Sequence, residues 1–352
     1  MLGQVVVFAA AFAVAALGTY FAARLGRRLG LVDVPGGRRT HTGAVPRIGG
    51  LGLFAGFFLT ALVLYLSGTF RPEHRLPLSG ILFGTAFVAL FGLADDRFEF
   101  KAAPQFAAQF IAAAIAIATT VYIQQVTLPL IYPQPFPFPW YVTYPLTVLW
   151  VVGMMNTVNF LDGLDGLAAG VGAIAAALFA VHSIRLQQYE VALYSLALTG
   201  ACLGFLLFNF HPARAFLGSA GAMTLGYTLA TLSILAPARV ATALLVMAIP
   251  IADTGFQMFD RWRRGESPTH GDRGHLHYRL MDLGLSQRQI VVGYWTFCGV
   301  FGALALFISA PLYKLIAIGA LVLIVAGLLA LLSRRQRRLA ADRAAASNSL
   351  PH

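Results

Sequence analysis

Long apolar runs alternate with short polar connectors along this chain, and the length of the runs is the first informative quantity. Eleven stretches, approximately 4–24, 48–67, 78–94, 104–123, 142–158, 165–183, 189–208, 215–235, 239–257, 290–308 and 312–332, are dominated by apolar residues. Roughly 17 to 25 such residues cross a hydrocarbon core about 30 Å thick as a helix, which satisfies its own backbone polar groups where water cannot. The pattern predicts an all-α, polytopic membrane helical protein with about 11 transmembrane helices. The first run has no basic stretch ahead of it and is long enough to span, so it is expected to be a retained helix and not a cleaved leader. A single transmembrane catalytic domain is expected over 1–333, with a basic, disordered cytoplasmic tail over 334–352.

Charge placement then orients the chain. With eleven spans the connectors alternate sides, and 20 of the 25 Lys and Arg residues fall on one of them. The positive-inside rule assigns that side to the cytoplasm, with the N-terminus outside and the C-terminus inside. Of the acidic residues only Glu73 and Glu190 fall on the outer side, so carboxylates gather on the arginine-rich face. The Pro/aromatic stretch 132–145, with Trp140, Tyr141 and Tyr144, reads as an interfacial belt on the outer side. Composition agrees: 58% of residues are hydrophobic, 11% are charged, and mean hydropathy is +0.74. That excludes an ordinary soluble domain. Cys202 and Cys298 both sit within apolar runs and offer no disulfide framework or CxxC metal pattern.

Five cytoplasmic connectors carry the chemistry. The first has Asp33, Pro35, Gly36, Gly37, Arg38, Arg39 and His41, then Pro46-Arg47-Ile48-Gly49-Gly50. The second has Asp95-Asp96-Arg97, then Lys101; adjacent carboxylates at a helix end need a metal, a basic side chain or another compensating partner. The third reads Asn156, Asn159, Asp162, Gly163, Asp165, Gly166, in which the polar residues recur every three positions and are expected to line one face if helical. Oxygen and carboxamide donors suit Mg²⁺ and nucleotide groups better than zinc, and the twelve-residue spacing of a calcium loop is missing. The fourth runs from Asn209-Phe210-His211-Pro212 to Gly218-Ser219-Ala220-Gly221-Ala222, small residues that also suit close helix packing. The fifth holds Asp253, Asp260, Arg261, Arg273, His275 and His277, a set that fits phosphate recognition better than a zinc site.

Taken in order, these elements resemble the polyprenyl-phosphate N-acetylhexosamine-1-phosphate transferase family, which includes MraY, WecA and TagO. The resemblance runs from about Asp33 to Leu285 and rests on DxPxxRxxH, PRxGG, DDR with its following Lys, NxxNxxDGxDGL, a GxxG turn and DRxHLHxRL. It implies transfer of a sugar 1-phosphate from a UDP-sugar donor to a polyprenyl phosphate acceptor, releasing UMP, with Mg²⁺ (or Mn²⁺) as cofactor. It implies catalytic roles for Asp95, Asp96, Asp162 and His275, and substrate contacts from Arg38, His41, Arg47, Lys101, Asn156, Asp165, Arg273 and His277. Metal ligation falls to Asn159 and to position 219. A homodimer in the bacterial inner membrane, with the site facing the cytoplasm and no nucleic-acid partner, is the corresponding expectation.

Two departures from the family pattern stand out. Its fourth element usually reads GDxGS or GDxGA, and here the acidic position is Ser219, a weak ligand for a hard dication. Either the cation is held otherwise, or the chain is an inactive or altered nucleotide- and lipid-binding form. Tyr278 stands where a further His is frequent. The Asp272-Arg273-x-His275-x-His277 order resembles the WecA/TagO branch more than MraY, which makes UDP-GlcNAc the expected donor and a muramoyl-pentapeptide donor the alternative. A transporter would place acidic groups at mid-membrane in both halves of an inverted repeat, and no such repeat is evident.

Overall fold

The structure is a computed structural model that describes residues 2–33, 43–68, 70–128, 132–235, 237–263, 265, 274–308 and 310–348, with backbone alone at 126–128, 132–135, 237–239 and 332–348. Thirteen helices occur among the described residues: α1 (Leu2–Arg28), α2 (Gly50–Leu66), α3 (Pro72–Phe98), α4 (Ala102–Ala118), α5 (Trp140–Leu161), α6 (Leu167–Arg185), α7 (Tyr189–Asn209), α8 (Gly218–Ile234), α9 (Pro237–Val246), α10 (Ala248–Arg263), α11 (Leu276–Asp282), α12 (Gln287–Phe307) and α13 (Pro311–Asn348). By length and composition, α1, α3, α5, α6, α7, α12 and the first 21 residues of α13 can cross a membrane. The pair α9 and α10, bent by 77° at their junction, makes an eighth if counted as one span, while α2 and α4 are apolar helices of 17 residues. Leu17, Phe21, Val63, Phe83, Leu90, Leu149 and Leu323 stand exposed on the outer helices, the surface that lipid covers in an integral membrane protein.

α8 is the axis of the bundle. It is packed by α2, α3, α5, α6, α7 and α9, and all but its first two residues are buried. Small residues at its start permit this enclosure. A Cβ on Gly50 would lie 2.1 Å from the Leu217 carbonyl and 2.5 Å from Gly221 Cα, so α2 meets α8 backbone to backbone. Further along, the hydroxyls of Thr228 and Thr231 donate to carbonyls within α8, and the Trp150 indole of α5 donates to Ser233 at 3.0 Å. These bonds satisfy polar groups that would otherwise be stranded in an apolar interior.

The fold is not wholly helical. β1 (Val32–Asp33) pairs antiparallel with β2 (Val45–Pro46), and β3 (Gln125–Leu128) with β4 (Tyr132–Pro137). The first part of the Pro/aromatic stretch thus forms the second strand of a ribbon over 132–137 before α5 begins at Trp140. Pro133, Pro135 and Pro137 alternate along β4, which places their missing donors on one edge and leaves the other edge to pair. The basic segment expected as a tail continues α13 as helical backbone to Asn348; Ala, Leu, Gln and Arg favour helix, and no Gly or Pro interrupts them there.

Candidate functional site

A cleft of about 850 Å³ opens where α3, α5, α8 and the α7–α8 connector meet. Asp33, Arg47, Asp96, Glu99, Asn159, Asp162, Asp165, His211, Ser219 and Tyr278 are among the residues that line it. Five of these are carboxylates and one is an arginine, and that arginine is already engaged. Arg47 donates to Asp33 Oδ1 from Nη2 at 2.7 Å and from Nε at 3.0 Å, and its other terminal nitrogen donates to Glu99. Glu99 caps α3 in the left-handed region at φ 48°, which turns the chain toward Lys101, exposed at the N-cap of α4 and outside the cleft lining.

The Asp95–Asp96 pair is compensated by protein donors. Asp96 sits at the N-terminus of α8, where the free N–H groups of a helix carry partial positive charge. Its two carboxylate oxygens accept from Ser219 N at 2.7 Å and Ala220 N at 3.1 Å. Gly218, at φ 64°, makes the approach possible: a Cβ there would lie 2.9 Å from both Asp96 oxygens and 2.2 Å from the Arg47 carbonyl. Asp95 turns away from the cleft. It accepts from Phe100 N at 3.0 Å, from the Gln105 amide at 3.0 and 3.1 Å, and from the Ser219 hydroxyl at 2.5 Å.

The four polar residues of the third connector part company. Asn156 donates to Gln109 Oε1 at 2.7 Å and to its own helix at Val152, away from the cleft. Asn159 stands exposed in the cleft, Asp162 is the C-cap of α5, and Asp165 follows in the turn before Gly166, at φ 78°, opens α6. Three residues turn a helix by about 300°, so a period of three drifts round by roughly 180° over nine residues. That drift, with the helix end at Leu161, separates Asn156 from the other three. Asp165 Oδ2 is paired with His211 Nδ1 at 2.8 Å and Ala213 N at 3.1 Å, which ties the α7–α8 connector to this turn. Asp162 makes no side-chain hydrogen bond or ion pair among the described residues. Burial, then the charges of Asp96 and Asp165, hold its carboxyl well above the usual range.

His275 and His277 lie behind the wall formed by Gly163 and Tyr278. Their rings are parallel, 5.7 Å apart, and Phe160 stacks on His275 at 5.0 Å. Asp253 of α10 accepts from Leu276 N and is 3.0 Å from His275 Nδ1. Because an ionised carboxylate only accepts, Nδ1 carries the proton. Nε2 of both histidines is buried without a hydrogen-bond partner among the described residues, and His277 Nε2 would lie 2.4 Å from a Cβ on Gly163. Burial pushes the His277 imidazole down to about 3, with Asp253 opposing that shift and His275 adding to it.

Arg47, Asp96, Asn159, Asp162, Asp165 and Ser219 therefore meet at one cleft, with Asp95 just behind it; Asn156, Lys101, His275 and His277 do not line it. Arg38, His41 and Arg273 lie outside the described residues. Sequence reading assigned no role to Asp253, His211, Asp33 or Glu99 as partners of these groups. Asp253 carried a signal, a charge inside an apolar run, and such residues are costly unless paired. The cleft also fits a hard cation by chemistry, since Asp162 has no side-chain partner among the described residues and Asn159 adds an oxygen donor. Among the described residues no group of three His, Cys, Asp or Glu forms a ready metal cluster.

Apolar helices around an acid-lined cleft define an integral membrane protein with a polar site built at helix ends. Comparison with known proteins narrows this. Residues 78–237 match glycosyl transferase family 4. The chain is 34% identical over 275 residues to a probable undecaprenyl-phosphate N-acetylglucosaminyl 1-phosphate transferase of Bacillus subtilis, covering 76% of this chain and 75% of the relative. It is 35% identical over 324 residues to a decaprenyl-phosphate N-acetylglucosaminephosphotransferase of Mycobacterium tuberculosis, covering 82% and 80%. A phospho-N-acetylmuramoyl-pentapeptide-transferase of Halalkalibacterium halodurans matches at 38% over 167 residues, covering 47% and 51%. The chain belongs to glycosyl transferase family 4, the polyprenyl-phosphate N-acetylhexosamine-1-phosphate transferases.

Proposed function

We propose that this protein transfers N-acetylglucosamine 1-phosphate from UDP-GlcNAc to undecaprenyl or a related polyprenyl phosphate, releasing UMP and initiating a cell-envelope polysaccharide. The observation that carries the reading is the similarity, across some four-fifths of the chain, to transferases named for that reaction. An oxygen of the acceptor phosphate bonds to the sugar-bearing phosphorus, and the bond from that phosphorus to the bridging oxygen breaks. UMP leaves with the electron pair. Such transfers depend on positioning and charge neutralisation more than on covalent chemistry by the protein.

The cleft's own charge bears on how that is done. The one arginine of the cleft lining is engaged by Asp33 and Glu99, so the lining offers a diphosphate no free guanidinium and substrate binding needs added positive charge. We assign that charge to Mg²⁺, which the oxygen donors of the cleft would hold and which would offset phosphate charge, and to Lys101, Arg38, His41 and Arg273. Asp95 and Asp96 hold the start of α8 in place, and Asp253 orients His275. Eleven spans, an outside N-terminus, a cytoplasmic site, a bacterial inner-membrane location, a single catalytic domain and a homodimer belong to the same proposal, supported by charge placement and by resemblance.

The test is transfer of radiolabelled sugar phosphate from UDP-GlcNAc to undecaprenyl phosphate by the detergent-solubilised chain with Mg²⁺. A labelled lipid diphosphate and stoichiometric UMP are expected. Turnover only with a UDP-muramoyl-pentapeptide donor would replace this reading with the one the Halalkalibacterium relative suggests.

A further inference from the structure

Ser219 occupies the position at which the resemblance places a metal-ligating carboxylate, and its hydrogen bonds show what it does instead. Its hydroxyl donates to Asp95 Oδ2 at 2.5 Å and its backbone N–H donates to Asp96 at 2.7 Å. With Ala220 N, Phe100 N and Gln105 completing the set, each of the four carboxylate oxygens of the pair accepts from a protein donor. A carboxylate pair satisfied in this way has no need of a cation, and taking one up would mean giving up those bonds. Asp162 is in the opposite condition. It lines the same cleft as Asn159 and has no side-chain partner among the described residues. An unpaired carboxylate among others is the group that gains most from a divalent ion.

We propose that Ser219 is a hydrogen-bonding lock on the Asp95–Asp96 corner and not a metal ligand, and that the divalent cation in this chain is held by Asp162 with Asn159. This rests on the functional reading above for the need of a cation, but its test does not rest on turnover. The corner at α8 then stays assembled with or without metal, because its compensation is built from the helix N-terminus and a hydroxyl. Metal affinity is set on the α5 side of the cleft.

Mn²⁺ binding to the full-length chain in detergent, followed by the electron paramagnetic resonance of free Mn²⁺, tests this with Asp162→Asn and Ser219→Ala. Asp162→Asn is expected to weaken Mn²⁺ at least about 10-fold, while Ser219→Ala changes it less than about 3-fold and lowers the thermal midpoint through the lost Asp95 bond. Ser219→Thr, which keeps a hydroxyl, is expected to retain both properties and covers the case in which the alanine variant does not fold. Equal weakening by Ser219→Ala and Asp162→Asn, an unaffected Asp162→Asn, or no Mn²⁺ binding by the unaltered chain would each overturn the inference. Mn²⁺ binding of the expected pattern without sugar-phosphate transfer would leave it standing and sink the functional reading instead.

Discussion

His277 is a buried imidazole whose charged form the fold disfavours, and it makes stability depend on pH in a defined direction. Asp253 from α10 and His275 beside it are the charged or titratable groups that act on it, and burial dominates both. The folded state holds the ring near 3, against the ordinary 6.5 of an unfolded chain. Between those values the unfolded state binds a proton that the folded state refuses, so this contribution is complete above about pH 6.5 and declines as pH falls. The decline is roughly 1.4 kcal/mol per pH unit below that point. Thermal unfolding in detergent at pH 7.5 and 5.5 is expected to show a lower midpoint at the acid pH, and a shallower difference in His277→Asn. An equal difference in both proteins would show that His277 is not the group responsible. A related prediction concerns Asp253. Asp253→Ala strands a buried imidazole N–H and the Leu276 N–H, each costing about 1–3 kcal/mol, whereas Asp253→Asn keeps an acceptor and is expected to lose less.

Close helix packing is the device that assembles the site, and it was only partly legible. The apolar runs located the helices well because backbone satisfaction in an apolar medium leaves few alternatives. Their boundaries at the site were less legible, because Gly218 and Gly166 act through left-handed turns that hydropathy does not register. The pairing of Asp96 with the start of α8 joins residues 123 and 124 positions apart, which no local pattern encodes. The small residues 218–222 were legible as packing residues, but not as the reason a carboxylate reaches two helix N–H groups. Glycine substitutions separate these roles. Gly50→Ala drives a methyl group into the Leu217 carbonyl and Gly221 backbone, neither of which can move without shifting α8, at a cost of about 1–3 kcal/mol or more. Gly153, in the middle of α5, has nothing within 4 Å of the place a methyl group would take, and Ala there is expected to be neutral or to stabilise by up to about 1 kcal/mol. Thermal midpoints of the two variants should move in different directions; parallel loss would mean that helix approach at Gly50 is not the determinant.

At the scale of the whole molecule, orientation decides whether the cleft can meet a nucleotide-linked donor, which a cell keeps in its cytoplasm. The charge asymmetry, 20 of 25 basic residues on one side in the eleven-span reading, predicts that side to be internal. The two native cysteines are both fully buried, so an introduced thiol can report on its own position. Ser67, exposed after α2, belongs to the predicted outer side, and Leu285, exposed between α11 and α12, to the inner side that shares the cleft. In right-side-out membrane vesicles a membrane-impermeant maleimide is expected to label Ser67→Cys at once and Leu285→Cys only after detergent is added. Inverted vesicles should reverse the pattern. If both positions label from one side, a span between them has been miscounted, and the bent α9–α10 pair is the element to re-examine, because its 77° turn allows the chain to enter and leave by the same face. If the pattern is reversed throughout, the cleft faces outward, where no UDP-sugar supply exists, and the proposed reaction loses its donor.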